Sequence, residues 1–282
     1  MSAQVIDGKK TAMELRRELA AEIAATGAHP RLAVFFVGDN PASEVYVRNK
    51  EKAAAEAGID CEVVRLPGDV SMQTLEDLVA EKNADPEING ILVQLPLPCH
   101  IDPLKILAMI DAEKDVDGFS PVNAGLLQMN DPDAVAAATP RGVLALLQQT
   151  GIDLKGRHAV IIGRSNIVGR PLADLLLNHD CTVTVIHSKT PHPEDICRQA
   201  DIIVAACGCP KLVKADWVKD GAAVIDVGIN RVEGKLCGDV DFDGVSAKAA
   251  YLSPVPGGVG PMTIAMLLDN TYRAYLKQKA SS

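Results

Sequence analysis

Aromatic side chains are scarce in this chain, only 3% of 282 residues with a single tryptophan, so each ring needs a reason for its position. Tyr46 is the only tyrosine before Tyr251. Apolar residues nowhere run long enough to span a bilayer, and the first ten residues lack the apolar core of a secretory signal. Positive charge is short as well. A formal charge of -9 and a pI near 5.2 argue against a general nucleic-acid or anionic-membrane surface and leave room only for a local basic pocket. Paired CxxC spacing is missing among the seven cysteines, at 61, 99, 181, 197, 207, 209 and 237, which read as buried reduced thiols. The six histidines show no HxxxH spacing, and no metal site is assigned. Low complexity and internal repeats are absent. These absences predict a soluble, cytoplasmic protein.

What remains is a near-continuous alternation of helical and strand patterns. In the first half, helices at Lys9 to about Ala25, Asn40 to about Ala57 and Ser71 to about Lys82 alternate with strands at Arg31 to Val37 and Cys61 to Leu66 and the apolar run Gly90 to Leu95. The second half repeats the alternation with strands at His158 to Ile162, Thr182 to Ile186, Asp201 to Ala205 and Ala222 to Val227. A last helix runs from about Gly260 to Leu276. Such alternation predicts an α/β fold with parallel sheets covered on both faces, in two lobes around a cleft. The polar stretch Gly118 to Ala138 marks one boundary and Pro254 to Gly260 a return crossing. The expected domains are 1–138 with 254–282, the C-terminal helix returning to the first lobe, and 139–253.

Two places in this pattern carry chemistry. After the strand ending at Val37, Asn40 is suited to cap a helix and Pro41 to begin it. Tyr46 and Lys50 then fall four apart on one helical face. A lysine with a normal pKa of about 10.4 is a poor base at neutral pH, so a proton-carrying Lys50 needs burial or a neighbouring cation. The same residues also read as a surface lysine laying its alkyl stem over a ring.

Strand His158 to Ile162 runs straight into Gly163-Arg164-Ser165-Asn166-Ile167-Val168-Gly169 and then a helix, the context a phosphate cradle requires. Ser165 stands where the second glycine of GxGxxG is expected, which weakens the motif. At the end of the next strand, where NAD sites carry an Asp or Glu, the sequence reads His187-Ser188-Lys189-Thr190. Arg164, Ser188 and Lys189 can meet a 2′-phosphate, so the cofactor expected is NADP. Trp217, Tyr251, Tyr272 and Tyr275 read as packing residues.

Six stretches in order, Val37 to Lys50, Val93 to Pro98, Lys114 to Phe119, Gly163 to Gly169, Val224 to Gly228 and Pro254 to Thr263, resemble the bifunctional methylenetetrahydrofolate dehydrogenase/methenyltetrahydrofolate cyclohydrolase family. The resemblance implies NADP-dependent oxidation of 5,10-methylenetetrahydrofolate and hydrolysis of the product to 10-formyltetrahydrofolate, in one-carbon metabolism. It implies a homodimer and a Rossmann second lobe. By position it makes Lys50 the catalytic lysine, Gln94 its contact, Tyr46 the ring on the folate and Asp117 the carboxylate for the pterin. Leu95, Pro256, Gly257 and Gly258 join the substrate site. Gly163, Arg164, Ser165, Ile167, Gly169, His187, Ser188, Gly228 and Ile229 fall to the cofactor. Two residues depart from the family: Ala138 where many relatives have cysteine, and Ser253 where threonine is common. Rival readings are another two-lobed dehydrogenase, of shikimate or amino-acid type, and a nucleotide-binding regulator without turnover.

Overall fold

A computed structural model describes residues 2–281. In chain order the elements are β1 (Gln4–Val5), α1 (Gly8–Thr26), β2 (Arg31–Val37), α2 (Pro41–Ala57), β3 (Asp60–Leu66), α3 (Met72–Ala84), β4 (Gly90–Val93), α4 (Pro103–Met109), α5 (Pro121–Gln128) and α6 (Ala138–Gln149). There follow β5 (His158–Ile162), α7 (Gly169–Leu177), β6 (Thr182–Ile186), α8 (Pro193–Cys197), β7 (Ile202–Ala205), a 3-10 turn at Ala215–Trp217, β8 (Ala223–Asp226), β9 (Asn230–Val232), β10 (Lys235–Cys237), α9 (Phe242–Ser246), β11 (Tyr251–Leu252) and α10 (Val259–Ala280).

The chain forms two compact units, one of residues 13–138 and 264–282, the other of residues 1–12 and 139–263. In the first, β3, β2 and β4 make a parallel sheet in that order, with Val34 opposite both Val63 and Leu92. Every residue of β4, and every residue of β2 after Arg31, is buried, as an interior parallel strand requires. Phe35, Leu75, Val79, Ile91 and Ile106 belong to the core that covers one face. α10 is tied in by Asn270, whose Nδ2 donates to the carbonyls of Val116 and Ala136 at 2.8 and 3.1 Å.

The second unit holds a six-stranded parallel sheet in the order β1, β11, β8, β7, β5, β6, with β9 and β10 as a separate antiparallel hairpin. β1 thus joins the second-half sheet, whereas the sequence reading grouped residues 1–12 with the first lobe. Two residues are too short to display a strand period. The segment 254–263 also belongs to this unit.

The polar stretch from Gly118 to Ala138 is not plain linker. It contains α5, begun by Pro121 and capped by Ser120, whose Oγ accepts from Asn123 N at 3.2 Å. No helix among the described residues is long and apolar enough to cross a membrane.

Candidate active site

α2 turns a fixed side toward the sheet. Ser43, Val47, Lys50, Ala54 and Ala57, spaced by four and three residues in turn, are all buried. Lys50 therefore occupies a position where an apolar residue belongs, with 8% of its surface exposed. Asn40 caps this helix by accepting from Ser43 N at 3.2 Å. Tyr46, one turn before Lys50, stays 37% exposed, its hydroxyl pKa raised by partial burial.

Gln94 follows β4 immediately. Its Oε1 accepts from Lys50 Nζ at 3.0 Å, while its Nε2 donates to the Leu95 carbonyl at 2.8 Å. Both ends of the amide are committed, so its oxygen faces the lysine. β4 stops at Val93, sooner than the apolar run suggests, and Pro96 and Pro98 lack the N–H groups that would extend a ladder.

Burial lowers the pKa of Lys50, and the negative charge of Asp117 opposes that shift. No neighbouring cation contributes to the shift; desolvation does the work. Burial likewise raises Asp117 to about 6, with Lys50 pulling it down and Asp115 pushing it up. Cys61, at the start of β3, is a member of this cluster that sequence reasoning missed; burial holds it as a thiol, its pKa near 11.

The two aspartates of Lys114-Asp115-Val116-Asp117 have separate duties. Asp115 is fully buried and accepts from Ser120 N at 2.7 Å, Asn123 Nδ2 at 3.0 Å and Phe119 N at 3.2 Å. Lys114 Nζ donates to the carbonyls of Asn83 and Asp85, both at 2.7 Å, closing the end of α3. These bonds fix the turn, and Asp117 remains the carboxylate coupled to Lys50. Replacing Asp117 with asparagine removes the charge that favours the ammonium, so the Lys50 pKa is expected to fall further. The acid limb of any activity that needs the free amine should then move to lower pH.

In the other unit a cavity of about 520 Å³ opens at the ends of β5, β6 and β7. Gly163, Arg164, Ser165, His187, Ser188 and Thr190 contribute to its wall, and Cys207, Leu212 and Trp217 add an apolar side. Trp217, expected only to pack, does both: it rests on the core and lines the cavity. Gly163 has φ +123°, and a Cβ there would stand 2.2 Å from the Ala206 carbonyl oxygen. Ser165 Oγ accepts from Val168 N at 3.2 Å, capping α7 where Val168 has no side chain able to do so. This is the physical reason a serine can replace the expected glycine.

The remaining sequence candidates lie outside that wall. Lys189 is exposed, and its backbone N–H donates to His187 Nδ1 at 3.2 Å. Ile167 and Ile229 are exposed, while Gly169 and Gly228 are buried in the backbone packing. Pro256, Gly257 and Gly258 belong to the turn before α10, where the Gly257 carbonyl accepts from Lys9 N at 2.9 Å. Ser253 is buried and its Oγ accepts from Asp226 N at 2.7 Å, a bond that a threonine hydroxyl could also make. Ala138 is buried at the start of α6 and takes no role.

The expectation of uniformly buried thiols is corrected. Cys181 and Cys197 are buried, but Cys99 and Cys209 are exposed, and all seven cysteines are free. Both lie in loops rather than within core elements, which accounts for the exposure. His192, Glu194 and Asp195 gather ligand atoms within 4.8 Å on the surface turn into α8, but Asp195 already pairs with Arg198 and no metal is assigned.

The cavity fits a phosphorylated dinucleotide: its wall offers a guanidinium, hydroxyls and apolar surface, and no carboxylate. One unit thus carries a nucleotide cavity and the other a desolvated lysine coupled to a carboxylate, the outfit of a two-unit α/β enzyme combining redox and proton chemistry. The chain belongs to the tetrahydrofolate dehydrogenase/cyclohydrolase family: residues 6–117 match its catalytic domain and residues 137–279 its NAD(P)-binding domain.

Among curated relatives, the bifunctional protein FolD of Moorella thermoacetica is 55% identical over 278 residues, covering 97% of this chain and 99% of that protein. FolD of Streptococcus pneumoniae serotype 4 is 53% identical over 279 residues, covering 97% and 98%. Among solved structures, the bifunctional FolD methylenetetrahydrofolate dehydrogenase/cyclohydrolase of Campylobacter jejuni has a TM-score of 0.95 at 48% identity, covering 98% of this chain and 99% of that one. The Trypanosoma brucei enzyme, complexed with NADP cofactor and inhibitor, has a TM-score of 0.95 at 42% identity, each chain covered in full.

Proposed function

We infer that this chain oxidises 5,10-methylenetetrahydrofolate to 5,10-methenyltetrahydrofolate with NADP and hydrolyses that product to 10-formyltetrahydrofolate. The observation that carries this reading is the buried Lys50, bonded to Gln94 at 3.0 Å and coupled to Asp117 in the part of the chain that matches the family's catalytic domain. Bound NADP supplies the acceptor for a hydride from the one-carbon bridge. The remaining work falls to the chain's own groups. Tyr46, partly exposed, offers a ring on which the folate can stack. Asp117, when ionised, can accept two parallel hydrogen bonds from the amino-pyrimidine edge of the pterin. Lys50, as the neutral amine favoured by burial, takes a proton from the water that adds to the methenyl carbon, and as the ammonium returns one when the ring opens. Gln94 holds the amine in place.

Folate binding is assigned to residues 13–138 with 264–282 and NADP binding to the unit that holds residues 139–253, and Leu95, Pro256, Gly257 and Gly258 are proposed as substrate contacts. Ile167, Gly169, Gly228 and Ile229 complete the cofactor contacts in this reading. A cytoplasmic homodimer is the expected form, supported by the family resemblance.

Two assays test the function. Pure protein is mixed with methylenetetrahydrofolate and NADP or NAD, and the reduced nicotinamide is followed. Methenyltetrahydrofolate is then supplied alone and its loss followed. Reduction with NADP well above NAD, and loss above the spontaneous rate, are expected. Reduction with neither nucleotide defeats the dehydrogenase reading, and loss at the spontaneous rate defeats the hydrolase reading.

The Asp117 assignment gives a pH signature. With a pKa of about 6 in the free enzyme, the carboxylate gains a proton below that pH, so kcat/KM for methylenetetrahydrofolate should fall as pH drops through 6. In Asp117→Asn this limb should vanish and kcat/KM at pH 7.5 should fall roughly 10- to 100-fold, the worth of one or two charge-assisted hydrogen bonds. An unchanged pH profile in the variant removes Asp117 from folate binding.

A further inference from the structure

Asp239 is fully buried two residues beyond β10, and its carboxylate is spent on backbone that shapes the nucleotide cavity. Its Oδ2 accepts from the consecutive N–H groups of Cys207 and Gly208 at 2.7 and 2.9 Å. Its Oδ1 accepts from Asn230 Nδ2 at 2.8 Å. Ala206, Cys207 and Cys209 all line the cavity, so the loop that Asp239 grips is the cavity wall itself.

Asp239 is in turn held by a second buried carboxylate. Asp226, at the end of β8, accepts from Asp239 N and Val240 N, each at 2.9 Å, and from Gly228 N at 2.9 Å. The packing leaves no spare room: a Cβ on Gly228 would lie 2.3 Å from Asp239 Oδ1. A rigid chain of bonds therefore runs from β8 through Asp226 and Asp239 to the loop after β7.

We propose that Asp239 is a positioning residue for the nucleotide, setting the Cys207–Gly208 wall of the cavity without touching the reacting atoms. The proposal rests on the reading of this cavity as the NADP site. Two adjacent N–H groups aimed at one carboxylate oxygen fix both peptide planes, and losing that acceptor frees the wall to move. The other unit supplies an internal control, because hydrolysis of methenyltetrahydrofolate consumes no nucleotide.

Asp239→Ala is expected to raise KM for NADP about tenfold or more while kcat at saturating NADP and the hydrolase rate stay within about threefold of wild type. Asp239→Asn should restore KM: the introduced amide keeps an oxygen for both N–H groups, and the Asn230 amide can rotate to offer its own oxygen to the new NH2. A merely structural role predicts a parallel loss of both activities with a lower Tm and no KM-against-kcat split. An unchanged KM in Asp239→Ala overturns the proposal. Should that variant not fold, Asn230→Ala carries the test, with a rise in KM for NADP of about threefold expected and no rise overturning it. If wild type itself binds neither NADP nor NAD, the cavity reading falls and the proposal with it; if wild type binds NADP and Asp239→Ala matches it, this proposal alone falls.

Discussion

Lys50→Met is expected to lower hydrolysis of methenyltetrahydrofolate by about 100-fold or more while dehydrogenation falls by less than about tenfold. Positioned proton transfer typically contributes 10²- to 10⁴-fold, and methionine keeps the length of the side chain without the amine. Hydride transfer moves no proton through this position, so it depends on Lys50 only through substrate placement. The surroundings say which form of the amine matters. Burial favours the neutral amine, and Gln94 Oε1 at 3.0 Å accepts a hydrogen bond from it in either state. Lys50→Arg separates the two roles. Arginine stays protonated in proteins, so a site that needs only a positive charge would keep hydrolysis, whereas a site that needs a base would lose it. We expect loss. Both activities are measured at pH 7.5 with the spontaneous rate subtracted, and wild-type hydrolysis in Lys50→Met would remove the lysine from the mechanism.

That Lys50 is special can be read from the sequence, though not from the Tyr46 spacing alone. The stripe of Ser43, Val47, Ala54 and Ala57 has small or apolar residues at its other positions, and a lysine interrupts it at the third. A charge at a core position of an amphipathic helix asks for a partner or a shifted pKa, and the structure supplies both. The long elements were legible for a related reason. β2 and β5 end where the apolar patterns end, because strands buried in a parallel sheet leave a continuous apolar run.

What escaped the sequence depends on distant backbone. Asp115 and Asp117 are the same residue type two positions apart. Only the folded turn, which brings Ser120 N and Asn123 Nδ2 to Asp115, shows which one is committed to structure. Asp226 and Asp239 are linked across the β9–β10 hairpin, and no periodicity records that link. Trp217 reached the cavity wall through a 3-10 turn that has no apolar repeat to announce it. Charge at a core position shows in one dimension, whereas the destination of a hydrogen bond needs three.

Gly163→Ala is expected to cost the dehydrogenase about 100-fold or more in kcat/KM for NADP and to leave hydrolysis of methenyltetrahydrofolate within about threefold of wild type. Gly163 combines two demands that alanine cannot meet. Its φ of +123° lies where a Cβ is strained, and that Cβ would stand 2.2 Å from the carbonyl oxygen of Ala206. Backbone must part by about an ångström to restore ordinary contact, and both strands concerned, β5 and β7, lead directly into the cavity wall. A misplacement of about 1 Å can reduce a rate about 100-fold when orientation supplies the catalysis, as it does for hydride transfer. Lys50, Gln94 and Asp117 belong to the other unit and the hydrolysis uses no nucleotide, so it reports whether the rest of the chain has folded. Dehydrogenation retained at the wild-type KM for NADP would mean that the turn after β5 does not bear the nucleotide. Loss of both activities with an early melting transition would instead mark Gly163 as a residue the whole fold needs, and Arg164→Ala, an exposed change in the same turn, would then decide between these readings by its KM for NADP alone.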